Sequence, residues 1–249
     1  MKRTDYASIA ATYDESELRH DIPPDAFLGD RLSTGPRPFA VLDVGCGTGN
    51  WLAVQRKRYP EEGISWCGLD ASPAMLDKAR AKLSAGRFEV GSADALPFGD
   101  GSVHYLSCSF AFHHFPDKPL ALDEMLRVLA AGGALRIANI VPEQMRRWWV
   151  YRFFPEAWLE DEKRFWSSNL LFHELARRGF EPRVEVTQKT ARESLEKILE
   201  EASRRDVSEL SILDDADYDR GMARLRAETT KVDRVVSESA VMVCTAIRA

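Results

Sequence analysis

The 249-residue chain has only four cysteines, Cys46, Cys67, Cys108 and Cys244, and no two of them form a C-x-x-C pair. Scattered thiols, three of them in apolar runs, argue against a disulfide framework or a zinc site and for buried, reduced cysteines. No apolar run approaches the ~20 residues a membrane helix needs. Met1-Lys2-Arg3-Thr4-Asp5 leads into mixed polar sequence with no apolar signal core, so a cytoplasmic protein is expected. Positive charge is not in excess either. The formal net charge is -5, which weighs against nucleic acid as the main partner, because such binding rests on basic surface. No internal repeat or low-complexity segment is present. What remains is a composition that is 45% hydrophobic, enough to bury the core of one large domain with insertions.

Alternating strand and helix signals run from Pro38 to about Gln188, the pattern of an α/β parallel sheet. Val41 to Val44 reads as a buried strand, and Ile64 to Asp70 as the next. Ser72-Pro73 reads as a helix N-cap with proline at the first helical position. Arg87 to Gly91 and Val103 to Phe110 are the third and fourth strands. Asp117 and Pro119 begin a helix striped by Leu122, Met125, Leu126 and Leu129, Gly132-Gly133 ends it, and Ala134 to Val141 is the fifth strand. Beyond Pro142 the pattern changes to a stretch rich in tryptophan, phenylalanine and arginine. Then come a helix from about Asn169 to Arg178, a strand from Pro182 to Gln188, and a capping-box pattern at Thr190 and Glu193 that announces a helix. A helix from Asp214 to Thr229 and an apolar strand from Ser239 to Arg248 close the chain. The predicted layout is a core of about 37–141, 168–188 and 232–249. A cap covers 1–36, an aromatic insert 142–167, and a helical insertion 189–231.

The chemistry gathers at strand ends. Gly45, Gly47 and Gly49 form a G-x-G-x-G turn between strand and helix, where backbone freedom and helix-opening amides suit a carboxylate or phosphate. The dinucleotide fingerprint would need its third glycine at Asn50, which counts against a nicotinamide dehydrogenase. Instead, Asp43, Asp70 and Asp94 follow or end three successive strands, where ligands of open α/β sheets bind. Asp70 suits two ribose hydroxyls. Asp94, beside Ala95 and Leu96, suits an adenine. Asp43 and the turn amides suit the ammonium and carboxylate of an amino-acid tail. S-adenosylmethionine unites these three parts.

With Val41-Leu42-Asp43-Val44-Gly45-Cys46-Gly47-Thr48-Gly49, Gly68-Leu69-Asp70-Ala71-Ser72-Pro73-Ala74-Met75-Leu76 and Ala93-Asp94-Ala95-Leu96-Pro97-Phe98, the sequence resembles class I S-adenosylmethionine-dependent methyltransferases. His113-His114-Phe115, Arg127 to Gly133 and the opening Tyr6 to Asp14 add to the likeness, which points to the small-molecule branch with the ubiquinone and menaquinone enzymes. The resemblance covers about residues 5 to 141. It implies a Rossmann-like seven-stranded sheet, parallel except for the last strand, with helices on both faces and a helical insertion before that strand. It assigns Asp43, Gly45, Cys46 and Gly47 to the amino-acid tail, Asp70 and Ala71 to the ribose, and Asp94 and Ala95 to the adenine. Met75 would pack on the adenine face and Tyr13 close over the cofactor. Ser109, Phe110 and His113 would border the sulfonium.

Each feature also has a plainer reading. Cys46 suits a crowded turn as a small side chain better than it suits a nucleophile. Adjacent histidines rarely share a metal, so none is expected at His113 and His114. One of the pair as general base, the other packed structurally, stands beside a structural role for both. The aromatics from Trp148 to Trp166 read either as core, as a wall for an apolar or aromatic acceptor, or as a membrane-contacting face. The expected activity is methylation of an O, N or C of a small molecule. The alternative is a non-catalytic or regulatory protein that binds the same cofactor.

Overall fold

The computed structural model describes residues 6–15, 22–60, 62–205 and 207–249. Residues 1–5 and 16–21 of the expected N-terminal cap lie outside the described residues. Seven strands, β1 (Phe39–Val44), β2 (Ile64–Asp70), β3 (Arg87–Val90), β4 (Val103–Ser109), β5 (Leu129–Ile140), β6 (Phe180–Ser194) and β7 (Arg234–Arg248), form one sheet in the order β3-β2-β1-β4-β5-β7-β6. The sheet is parallel except where β7 meets its two neighbours, as the resemblance implied. Strand order reverses between β1 and β4, the crevice at which doubly wound sheets hold ligands.

Eleven helices are described: α1 (Tyr6–Ile9), α2 (Ala26–Thr34), α3 (Asn50–Arg58), α4 (Pro73–Lys82), α5 (Lys118–Val128), α6 (Trp149–Phe153), α7 (Pro155–Arg164), α8 (Ser168–Ala176), α9 (Leu195–Arg204), α10 (Ser208–Ser211) and α11 (Asp215–Thr229). None is long and apolar enough to cross a membrane. Local chemistry sets several starts. Asp25, Ser72, Asp117 and Asp214 each accept a hydrogen bond from an amide of the first turn behind them, which satisfies an otherwise orphaned donor. Two boundaries differ from expectation. Gly132-Gly133 does not end α5; the chain enters β5 directly at Leu129, and the glycines lie inside the strand. The Thr190–Glu193 pattern does not start a helix either. Strand β6 runs on through it to Ser194, and α9 begins at Leu195 with no side-chain cap. Pairing within the sheet overrode a local capping signal.

The chain divides into two compact units. The larger comprises residues 6–139, 168–185 and 243–249 of the described chain; the smaller comprises 140–167 and 186–242. In the larger unit, Leu28, Val41, Leu52, Leu76 and Ala79 belong to a fully buried cluster that joins α2, α3, α4 and β1. In the smaller unit the aromatic stretch turns inward. Trp149, Tyr151, Phe153, Phe154 and Phe165 are buried, and Phe154 stacks on Tyr218 of α11 at 5.9 Å. Those five side chains are core.

Candidate functional site

The glycine turn closes β1 against β2. The amides of Gly45 and Cys46 both donate to the Leu69 carbonyl, at 2.7 and 3.0 Å, and the Gly47 amide donates to Asp70 Oδ2 at 2.8 Å. Asp70 Oδ1 accepts from the Ser72 amide at 2.8 Å, so one carboxylate stitches the turn to the start of α4. Burial raises the Asp70 pKa, while the amides of Ser72, Gly47 and Ala71 oppose the rise by favouring the anion. The turn amides expected to cradle a ligand carboxylate are thus already engaged within the fold at Gly45, Cys46 and Gly47. The glycines serve geometry instead. All three have φ between 53° and 77°. A Cβ at Gly45 would lie 2.4 Å from the Ala111 Cβ, whereas one at Gly47 would meet nothing within 4 Å among the described residues. Gly45 therefore lets the segment after β4 abut the turn, and Gly47 borders open space.

Asp43 stands beneath this turn, only 2% exposed, and its Oδ1 has no hydrogen-bond partner among the described residues. Burial pushes its pKa up to about 8; a hydrogen bond from Ser107 and the charge of Arg136 offset part of that rise, and Asp70 and Asp25 add to it. Register explains the neighbours. Asp43 pairs with Ser107 on β4, and Ser107 pairs with Arg136 on β5, so the three side chains lie in one row on one face. Arg136 donates to Ser109 Oγ at 3.0 Å and lies 3.5 Å from Asp25 Oδ2. Asp25 also accepts from the Tyr105 hydroxyl at 2.6 Å. Arg136, Asp25, Tyr105 and Ser107 were not singled out in the sequence. The available signal was a single charge, Arg136, inside the apolar run of β5.

The other expected residues fall around the same strand ends. Asp94 sits half-buried in the loop after β3 and makes no hydrogen bond or ion pair with a described residue, while Ala71 and Ala95 are exposed. Met75 is buried in α4. Cys46 packs over Gly68, whose added Cβ would lie 2.7 Å from its Sγ, and burial holds the thiol pKa well above its usual value. That matches the small-residue reading and not a thiolate nucleophile. Phe110, directly after β4, is half exposed and has a left-handed φ of 54°, a conformation that a bulky side chain adopts only when its surroundings enforce it. His113 is buried with Nδ1 at 3.1 Å from Asn139 Oδ1; His114 Nε2 lies 2.6 Å from the Tyr6 hydroxyl. The two rings sit 3.8 Å apart.

Tyr13 belongs to a short 3-10 turn, Tyr13–Glu15, whose Asp14 ties the N-terminal segment to the glycine turn. Asp14 accepts from Thr48 Oγ1 at 2.6 Å and Asn50 Nδ2 at 3.0 Å, and pairs with Lys82 at 2.7 Å. Partial burial pushes the Asp14 pKa up, but hydrogen bonds from Lys82, Thr48 and Asn50 outweigh it and hold the group below its usual range. Asp14 was a further residue that pattern alone did not reveal.

These residues fit S-adenosylmethionine in two observable ways. Asp43 presents a buried carboxylate oxygen that lacks a partner and would accept an ammonium, and the space beside Gly47 is open where a side chain would fill it. Comparison with known proteins agrees. Residues 41–133 match a family described as a methyltransferase domain. The demethylmenaquinone methyltransferase of Thermotoga maritima is 36% identical over 49% of this chain and 53% of its own length. The chain thus spans about half the length of that relative. The enzyme of the same name from Beutenbergia cavernae is 30% identical over 69% of this chain and 83% of its length. Among solved structures, the YcgJ protein of Bacillus subtilis shares the fold, with a TM-score of 0.63 at 17% identity over 89% of this chain and 97% of that one. On these grounds the chain belongs to the class I S-adenosylmethionine-dependent methyltransferases, on their menaquinone- and ubiquinone-like branch.

Proposed function

We propose that this protein transfers a methyl group from S-adenosylmethionine to an oxygen, nitrogen or carbon of a small-molecule acceptor and releases S-adenosylhomocysteine. The observation that carries the reading is Asp43, a buried acid with one unpartnered oxygen beneath an open glycine turn. Two more acids stand at the next strand ends. When bound, the cofactor supplies a methyl group activated by its sulfonium.

The chain's own residues bind and orient. Asp43 takes the ammonium of the amino-acid tail. Asp70 takes the ribose hydroxyls, with its carboxylate already oriented by the Gly47 and Ser72 amides. Asp94 and Ala95 meet the adenine edge, Met75 packs on its face, Ala71 lines the ribose, and Tyr13 covers the site. Ser109, Phe110 and His113 stand at the end of β4, where the methyl group is exposed to its acceptor. Displacement at a sulfonium asks mainly for alignment and exclusion of water. A base is needed only where the acceptor must lose a proton. His113, held by Asn139, and His114, held by Tyr6, are the candidates for that step. The names of the matched relatives make demethylmenaquinone the first acceptor to test and support an apolar or aromatic acceptor. Four free cysteines support a reducing, cytoplasmic setting.

Two measurements test the proposal. Calorimetry with S-adenosylhomocysteine should show binding, and methyl-labelled cofactor with reduced demethylmenaquinone and other small acceptors should yield labelled product. Binding without product from any acceptor would favour a non-catalytic protein of the same fold. Binding of NAD without S-adenosylhomocysteine would overturn the reading.

A further inference from the structure

The row Asp43–Ser107–Arg136 sets up a charge imbalance. Two acids, Asp25 and Asp43, share one guanidinium. Asp25 is satisfied: Oδ1 caps α2 through the Leu28 amide, and Oδ2 accepts from Tyr105 and faces Arg136. Asp43 has a hydrogen bond from Ser107 and nothing on Oδ1. Around it stand Ser107, Tyr105 and Cys108 on β4, Cys46 in the turn, Asp70 at the end of β2, Asp25 before α2, and Arg136 on β5. Arg136 is the one cation in that set. With Asp25, Asp43 and Asp70 all ionised, the set holds three negative charges against one positive, an excess that a buried site disfavours.

Building on the cofactor reading above, we propose that Arg136 is a positioning residue for the cofactor's amino-acid end: its charge lets Asp43 stand as a carboxylate when the ligand's ammonium arrives. The ammonium then adds a second positive charge to the set. Before it arrives, burial keeps Asp43 protonated up to about pH 8, so binding near neutrality expels that proton. Ionising Asp43 without Arg136 would place a carboxylate beside Asp25 and Asp70 with no opposing charge. Because Asp43 is almost wholly buried, the Arg136 charge acts across a low-dielectric gap where screening is weak. A chain of hydroxyls joins the two groups: Arg136 donates to Ser109 at 3.0 Å, Ser109 Oγ lies 3.4 Å from Ser107 Oγ, and Ser107 donates to Asp43, which orients the carboxylate.

The experiment pairs two ligands that share the adenosine thioether and differ in the amino-acid end: S-adenosylhomocysteine, which has it, and 5′-methylthioadenosine, which lacks it. Arg136→Met should weaken S-adenosylhomocysteine about 10-fold or more at pH 7 and leave methylthioadenosine within about twofold. Arg136→Lys, which keeps the charge and loses the fork, should fall between. In an Asp43→Asn background, Arg136→Met should add less than about twofold, because the residue it acts through is gone. A fourth measurement needs no variant. Calorimetry of the wild type in buffers of different ionisation enthalpy should show proton release with S-adenosylhomocysteine and none with methylthioadenosine. Equal loss of both ligands, an undiminished penalty in the Asp43→Asn background, or equal proton release would overturn the assignment. A wild type that binds neither ligand would instead sink the cofactor reading on which the assignment rests.

Discussion

Each unit of the chain brings an aspartate, an arginine and a tyrosine together, all three buried in the smaller unit but with a half-buried Arg136 in the larger, and the two groups are finished differently. In the smaller unit, Arg164 donates through Nε and Nη2 to Asp161 Oδ1, and the Tyr151 hydroxyl donates to Oδ2 at 2.7 Å. Both Asp161 oxygens are occupied, whereas Arg164 Nη1 is buried with no hydrogen-bond partner among the described residues and Glu209 stands nearby as a second buried acid. Burial, with Glu209 nearby, raises the Asp161 pKa, and Arg164 opposes that rise. In the larger unit both Asp25 oxygens of the Asp25–Tyr105–Arg136 group are likewise occupied, but a second acid, Asp43, is placed beside it with an oxygen left over. The Asp161 group lies between α6 and α7, inside the core of its unit. A buried carboxylate oxygen left unpaired at a strand end, as on Asp43, invites a ligand that supplies positive charge.

The largest effect should come from breaking the Asp161–Arg164 pair. Arg164→Met leaves Asp161 buried without its cation, and the expected loss is about 3–5 kcal/mol of stability, read by urea denaturation. A loss below about 1 kcal/mol would mean the two clusters do not differ as described. Next in size is Asp70→Ala, which removes hydrogen bonds to a charged group and frees the Gly47 amide. S-adenosylhomocysteine affinity should drop about 10- to 100-fold by calorimetry, and unchanged affinity would remove Asp70 from the site.

The two units also differ in how far they could be read beforehand. In the larger unit the glycines, the three acids and the caps at Ser72 and Asp117 are local signals, each visible within a few residues, and the structure forms both caps where they were expected. Arg136, Ser107 and Asp25 were less visible, because their meaning depends on strand register and on contacts between residues up to 111 positions apart in sequence. In the smaller unit the same problem dominates. Trp149, Phe154 and Tyr218 look alike in sequence whether they line a pocket or fill a core, and only their burial against α11 separates the cases. The Thr190–Glu193 pattern failed for a related reason: a correct local signal lost to pairing in β6.

The surplus acid has its own signature in pH. Burial raises the Asp43 pKa from 3.8 to about 8, so between those values the folded state binds a proton that the unfolded chain lacks. Stability from this group is therefore present below about pH 4 and declines as pH rises toward 8. Asp43→Asn cannot ionise and escapes the decline. Its stability relative to wild type should improve steadily between pH 4 and 8, measured by denaturation at each pH. A constant difference would mean that Asp43 is already ionised without ligand.

The smallest effects come from a matched pair of glycines. In the smaller unit, a Cβ at Gly221 of α11 would lie 2.0 Å from the Phe154 ring, so Gly221→Ala overpacks the core. It should cost about 1–3 kcal/mol, with S-adenosylhomocysteine affinity of the folded protein held within about twofold. In the larger unit, Gly47→Ala meets no atom of a described residue within 4 Å but must hold a φ of 53°. That strain is worth about 1–2 kcal/mol, and the added methyl group stands in the open space where the cofactor tail is placed. Gly47→Ala should therefore be the milder change for stability and the harsher one for binding. The reversed order in both measurements would assign the open space at Gly47 to no ligand and return the glycine turn to a purely structural role.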